Sequence, residues 1–212
     1  MNKEMKASAD QYPFESVMIN LNDIRKHVIS LLGKRLASTL TYHNVDHTLD
    51  VATQCMTIAK EEGVTNKQTL LELQIAALYH DTGFLYVYKG HEEKSCELAR
   101  KELPGFGVNK KAIDNICEII LATKVPQTPK NLLQEIICDA DLDYLGRNDY
   151  FIINEKLHKE FMVYKITCSE EEWKESRIAF LQSHFYFTKS SQQRRNPVKL
   201  AHLKQLIKME EK

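Results

Sequence analysis

The sequence predicts an all-α protein built as a single helical domain, and three observations carry that prediction. Only seven glycines and five prolines punctuate 212 residues. Alternating runs of Val, Ile and Thr that would mark strands are scarce. Apolar residues instead recur at spacings of three and four, the period of one face of an α-helix. At this length one domain buries a sizeable core, and nothing in the composition demands a second.

Each element follows from its own boundary chemistry. The first helix is expected from Phe14 to about Ala37, with Val17, Leu21, Ile24, Val28, Leu31 and Leu32 along one face. Asn44 is suited to cap a second, with Asp46 in its first turn, running to about Glu62 before Gly63. The third spans about Asn66 to His80, and its stretch LLELQIAALY has too few polar positions for a surface helix. It reads as central core. After a loop containing Gly83 and Gly90, a fourth helix runs from His91 to about Leu103, where Pro104-Gly105 ends it. Asn109 opens a fifth through Ile113, Ile116, Cys117 and Ile120, and Pro126 and Pro129 bracket the break behind it. The sixth covers about Lys130 to Leu145 and stops at Gly146. Two or three more fill the remainder, with Asn196-Pro197 as the last boundary, because a residue before proline resists the α region.

Bulk chemistry narrows the function classes. Lys+Arg 29 balances Asp+Glu 29 for a formal net charge of 0. No global field recruits nucleic acid or an anionic membrane, so an anionic substrate must be held locally. The five cysteines, Cys55, Cys96, Cys117, Cys138 and Cys168, form no C-x-x-C and fall in helix-like segments. They are expected to be reduced core residues of a cytoplasmic protein. The N-terminal MNKEMKASADQYPF has no apolar signal core, and no run of about eighteen apolar residues occurs, so no membrane partner is expected. The C-terminal KSSQQRRNPVKLAHLKQLIK carries Lys189, Arg194, Arg195, Lys199, Lys204 and Lys208. Val198, Leu200, Leu203, Leu206 and Ile207 recur there at helical spacing, which favours an amphipathic core or dimer helix with a solvated basic face over an RNA-binding arm.

Four metal-capable side chains occupy core-facing or helix-end positions. His80-Asp81 ends the most apolar helix, where a carboxylate is expensive unless it is paired or metal-bound. His47 lies four residues before Val51 and eight before Cys55, so it heads a buried stripe. Asp141 follows Ile137 by four and precedes Leu145 by four, whereas Asp139 stacks between Glu135 and Asp143 in an acidic row that water can solvate. Singly, each has an ordinary structural reading: a satisfied core histidine, a turn completed by Gly83, a solvated acidic face. His91-Glu92, opening the fourth helix, similarly suits a helix start that answers the dipole. Jointly, those readings require inward groups on three helices that never meet. Two imidazoles and two carboxylates that do meet form a mixed N/O site for a divalent transition metal, with room left for water. A closed structural zinc site uses more thiolate.

His47 in DHTLDV, His80-Asp81 in ALYHDTGF and Asp141 in DADLDYLG, in that order, resemble the HD-domain superfamily of metal-dependent phosphohydrolases. The resemblance covers about residues 41–147, with the flanking helices completing an HD-type bundle. It implies that His47, His80, Asp81 and Asp141 bind a divalent cation (Mn, Fe, Co, Ni, Zn or Mg). It also implies a small phosphorylated substrate, a nucleotide ester or anhydride, attacked by a metal-activated water. Members with two metals carry further histidines; here His91 answers the first, but EIILATKVPQTP offers Thr123 and Lys124 where the second belongs. One metal is therefore expected. Asp81 both ligates and orients the nucleophile in this reading, while His91 and Glu92, at a helix N-terminus with unpaired N–H groups, steer protons or phosphate. His43, Lys124 and Arg147 are expected to contact the substrate. The competing reading is a regulatory HD module that binds metal or nucleotide without turnover.

Overall fold

Asparagine caps five of the first six helices, its side-chain oxygen accepting from backbone N–H groups that a helix start leaves unpaired. The computed structural model describes residues 19–210. Within them the order is α1 (Leu21–Arg35), α2 (Val45–Glu61), α3 (Lys67–Tyr79), α4 (His91–Glu102), α5 (Lys110–Leu121), α6 (Leu132–Asp141), α7 (Tyr150–Val163), α8 (Glu170–Ser183) and α9 (Lys189–Glu210). Short 3-10 turns follow at Thr82–Leu85, Leu103–Phe106 and Asp143–Gly146. No strand occurs among the described residues, so the all-α expectation holds. The start expected at Phe14, with Val17, lies outside the described residues.

Two packed groups divide the helices. The larger surrounds α3, whose Leu73, Ile75, Ala76, Ala77 and Tyr79 are 0 % exposed, and draws in side chains from α1, α2, α4, α5 and α6. Fully burying a Leu or Ile contributes roughly 1.5–3 kcal/mol, so this helix is held by surroundings and not by one amphipathic face. In the smaller group Tyr150, Leu181 and Leu206, from α7, α8 and α9, pack on Tyr42, Leu142 and Leu145. The end of α6 lies where the two groups join.

Four expectations are corrected. The sixth helix stops at Asp141, not Leu145, and Asp143–Gly146 continues as a 3-10 turn. Pro197 ends nothing and lies inside α9. Its ring removes the N–H that would reach the carbonyl of Gln193, but Pro197 and Gln193 are both exposed, where solvent can take the place of the lost bond. Packing on either side, through Ser191, Lys199, His202 and Leu206, holds the helix together. Lys199 therefore belongs to no solvated basic face: it is buried, and its Nζ donates to the carbonyl of His184. Cys168 lies exposed between α7 and α8, while Cys55, Cys96, Cys117 and Cys138 are buried thiols as expected. No helix of the described residues is long and apolar enough to cross a membrane.

Candidate metal centre

The first turn of α2, the end of α3 and the last residue of α6 converge on one point. Asn44 accepts from the backbone N–H groups of Asp46 and His47, which fixes the start of α2 and aims His47 inward. His80 continues directly from α3, and its Nδ1 lies 2.8 Å from the carbonyl of Ala77. That contact requires Nδ1–H, so in the neutral ring it is Nε2 that carries the lone pair. The two Nε2 atoms are 3.4 Å apart. Asp141 Oδ1 stands 3.1 Å from His47 Nε2 and 3.6 Å from His80 Nε2. One ligand atom from each of His47, His80 and Asp141 lies within 4.8 Å of the others.

Asp81 stands beside these three, with Oδ2 3.3 Å from His47 Nε2 and 3.2 Å from His80 Nε2. That oxygen is buried and makes no hydrogen bond. An orphaned carboxylate oxygen facing two imidazole nitrogens and a second carboxylate is what a divalent cation requires, and the mixed N/O set suits a transition metal. Burial alone would lower the imidazole of His47, but pairing with Asp141 and Asp81 raises it to about 9. Burial likewise opposes ionisation of Asp81 and Asp141, yet the neighbouring imidazoles hold both below the usual carboxylate range. Both carboxylates are charged at neutral pH.

The neighbouring aspartates explain why Asp141 is the one aimed at the imidazoles. Asp139 was expected in a solvated row; it is instead 0 % exposed. Its Oδ1 accepts from Phe187 N–H, and its Oδ2 from the N–H and hydroxyl of Thr188, at 2.7–2.8 Å. Burial pushes this carboxyl up to about 6 against those hydrogen bonds. Asp143, also 0 % exposed, receives Nε and Nη2 of Arg195, both at 2.8 Å. Together they fasten residues 139–143 to residues 187–195.

The other residues singled out from the sequence fall in three places. His91 Nδ1 lies 3.0 Å from the carbonyl of Tyr88, which turns Nε2 toward Asp81 Oδ1 at 3.5 Å. Glu92 is buried beside it, Oε2 3.6 Å from His91 Nδ1. Phe84 stacks between His91 and His43, with ring centroids 3.8 and 4.3 Å away. Arg147 lines a pocket of about 360 Å³ that also touches His47 and Asp141, but Asp50 and Asp149 hold its guanidinium. Lys124 pairs with Glu93 on the surface and lines neither this pocket nor the larger cavity below.

Sequence reasoning missed Glu160. This α7 carboxylate is 0 % exposed and accepts from the N–H of Tyr42 at 2.9 Å, the N–H of His43 at 3.1 Å, Nδ1 of His43, and the hydroxyl of Tyr88 at 2.9 Å. Burial alone would raise its carboxyl; the hydrogen bond and charge of His43 keep it below its usual range. The available signal was its spacing, three residues after Leu157 and next to Phe161, on the apolar side of the helix. His43, Asp81, His91, Glu92 and Asp141 face one end of a cavity of about 400 Å³, whose other end lies between α7 and α8.

A family model, the HD domain, matches residues 44–143. Among curated proteins none matches the chain. Two solved structures are similar. One is a predicted HD superfamily hydrolase from an uncultured Thermotogales bacterium, 18 % identical, with a TM-score of 0.57 over 90 % of this chain and 96 % of that one. The other is Bacillus subtilis YpgQ, solved in complex with ADP, 19 % identical, with a TM-score of 0.60 over 89 % of this chain and 93 % of that one. At these identities the likeness establishes a shared fold, and it extends well beyond residues 44–143. The HD-domain match takes in His47, His80, Asp81 and Asp141 in order, and the shared fold covers most of the chain.

Proposed function

We propose that the protein is a metal-dependent phosphohydrolase acting on a phosphate ester or anhydride of a nucleotide. The observation that carries this reading is the orphaned Oδ2 of Asp81, set among His47, His80 and Asp141 at the end of a cavity large enough for a small organic phosphate. The hydrolase relative and the ADP-bound relative support the reaction class and the ligand class respectively.

His47, His80, Asp81 and Asp141 would hold the cation. When bound, it supplies a Lewis acid for a phosphoryl oxygen and lowers the pKa of a water toward neutrality. The protein groups divide the remaining work. Asp81 spans the site, one oxygen toward the imidazoles and the other toward His91, so it suits a group that orients a nucleophile. His91, its tautomer set by Tyr88, offers Nε2 on that side. His43 is held by Glu160 through Nδ1, which leaves its other ring nitrogen to donate a proton to a departing oxygen. Glu92 adds negative charge near His91 and favours its protonated form.

The test is phosphate release from a panel of nucleotides after loading with Mn²⁺, Co²⁺, Ni²⁺ or Zn²⁺. Release by the wild type and none by Asp141→Ala is the expected result. Tight binding of metal and nucleotide without release from any of them would favour a regulatory module.

A further inference from the structure

The cavity is two-ended. At the metal end it is lined by charged side chains, whereas its far end is built on the facing sides of α7 and α8. Tyr150, Asn154, Leu157 and Phe161 recur every three or four residues along α7, and Trp173, Arg177 and Leu181 do so along α8. Tyr150, Leu157, Phe161, Trp173, Phe180 and Leu181 make most of that wall aromatic or aliphatic. Ser176 is already spent, its hydroxyl donating to the carbonyl of Trp173.

Besides the hydroxyl of Tyr150, two polar side chains remain. Asn154 is 6 % exposed, and its amide enters no side-chain hydrogen bond among the described residues. Arg177 gives Nη2 to Glu210 at 3.1 Å, but its Nε is buried with no partner. An unpaired buried polar group costs about 1–3 kcal/mol, so a wall that keeps Arg177 Nε unpaired, with the Asn154 amide lining the same cavity, suits a ligand that supplies the partners.

The chemistry of that wall selects among phosphorylated compounds. An alkyl or lipid phosphate fits the apolar faces and leaves Asn154 and Arg177 unpaired. A sugar phosphate brings many hydroxyls to a surface with few polar groups. A nucleobase has flat apolar faces and a polar edge on which donors and acceptors sit side by side, the pattern a carboxamide matches. Resting on the reading of this cavity as the substrate site, we infer that its α7–α8 end is a nucleobase-recognition subsite. Asn154 and Arg177 read the edge of the base there, and both residues lie outside the HD-domain match.

Nucleosides test the subsite apart from the chemistry because they carry no phosphate. Calorimetric titration with adenosine, guanosine, cytidine and uridine should detect binding of at least one by the wild type. Asn154→Leu, close in size, should weaken that binding about tenfold or more while leaving the thermal midpoint unchanged or higher, since leucine suits the apolar wall around it. Arg177→Lys, which keeps a charge for Glu210 but loses Nε–H, should weaken it as well. A purely structural role for Asn154 would lower the midpoint and leave nucleoside affinity as it was. Nucleoside binding without phosphate release from any nucleotide would overturn the phosphohydrolase and keep the subsite. Equal release from nucleotides and ribose 5-phosphate, with no nucleoside bound, would overturn the subsite and keep the enzyme.

Discussion

A Cβ added to Gly83 would lie 1.9 Å from the carbonyl oxygen of His91, so the turn behind Asp81 and the first residue of α4 are in backbone contact. Ser95 ties the same joint, donating its hydroxyl to the carbonyl of His80 at 2.6 Å and accepting from Gly83 N–H at 2.8 Å. Only glycine fits there, and the fit sets the distance between His91 and Asp81. Gly83→Ala must push α4 away. The expected loss is about 1–3 kcal/mol, the range for overpacking, read from the denaturant midpoint. Metal content should survive if α4 moves and Asp81 stays, since His47, His80 and Asp141 sit on other elements, while phosphate release falls with the displacement of His91. An unchanged midpoint would mean that the α4 backbone yields freely.

His91 and the four clustered donors should respond differently to truncation. His47→Ala or Asp81→Ala removes a donor from the cluster, and metal content and hydrolysis should disappear together. His91→Ala should keep the metal and lose roughly a hundredfold to ten-thousandfold in turnover, the range for a general acid or base. Metal analysis and turnover on the same preparations decide it. Metal lost from the His91 variant would make that residue a ligand and argue for a second ion beside Asp81 Oδ1.

Asp139→Ala and Asp141→Ala should separate folding from metal binding. Removing Asp139 strands the part-buried N–H of Phe187 and the buried N–H of Thr188, and a loss of roughly 2–4 kcal/mol is expected in denaturant unfolding. Removing Asp141 should abolish metal retention with a smaller effect on stability. Retention of metal by the Asp141 variant would mean that the other three donors suffice.

Those two aspartates also mark how far the sequence could be read. Helical spacing and capping chemistry belong to single segments, so Asn44, Asn66 and Asn109 announced the starts of α2, α3 and α5 correctly. The same spacing put Asp139 and Asp141 on different sides of α6. It carried no information about what packs on each side, and the partners of Asp139 lie 48 and 49 residues away. Glu160 was illegible for the same reason, its partners His43 and Tyr88 being 117 and 72 residues distant. Pro197 was misread because a local preference was taken as decisive where packing on both sides of the residue governs.

Acid should destabilise the fold through His184. Burial, and then the positive charge of Lys199, whose Nζ is 3.2 Å from His184 Nδ1, lower this imidazole to about 3. An unfolded histidine titrates near pH ~6.5. Between those values the unfolded chain binds a proton that the folded chain refuses, so stability rises with pH across the window and falls as the pH drops below about 6.5. Thermal midpoints measured from pH 7 to pH 5 should decline. His184→Asn, which keeps an acceptor for Lys199, should show a shallower decline. Parallel slopes for the two proteins would remove His184 as the cause.

The pairing of Glu160 with His43 gives the most direct test of proton donation. If the carboxylate acts through the imidazole, the two residues form one unit and their losses will not add. His43→Ala should reduce nucleotide hydrolysis by roughly a hundredfold or more. Glu160→Gln should reduce it less, since the ring remains but loses its charged partner. The double variant should be no worse than His43→Ala alone. Metal content should stay constant throughout, because neither residue is among the four clustered around the Asp81 oxygen, His47, His80, Asp141 and Asp81 itself. The choice of substrate separates chemistry from architecture. A nucleotide phosphoester expels an alkoxide that needs a proton, whereas p-nitrophenyl phosphate expels a phenolate that leaves without one. A proton-donating His43 predicts a severe loss on the first substrate and a slight one on the second. Equal losses on both would reduce the pair to a structural support for the start of α2.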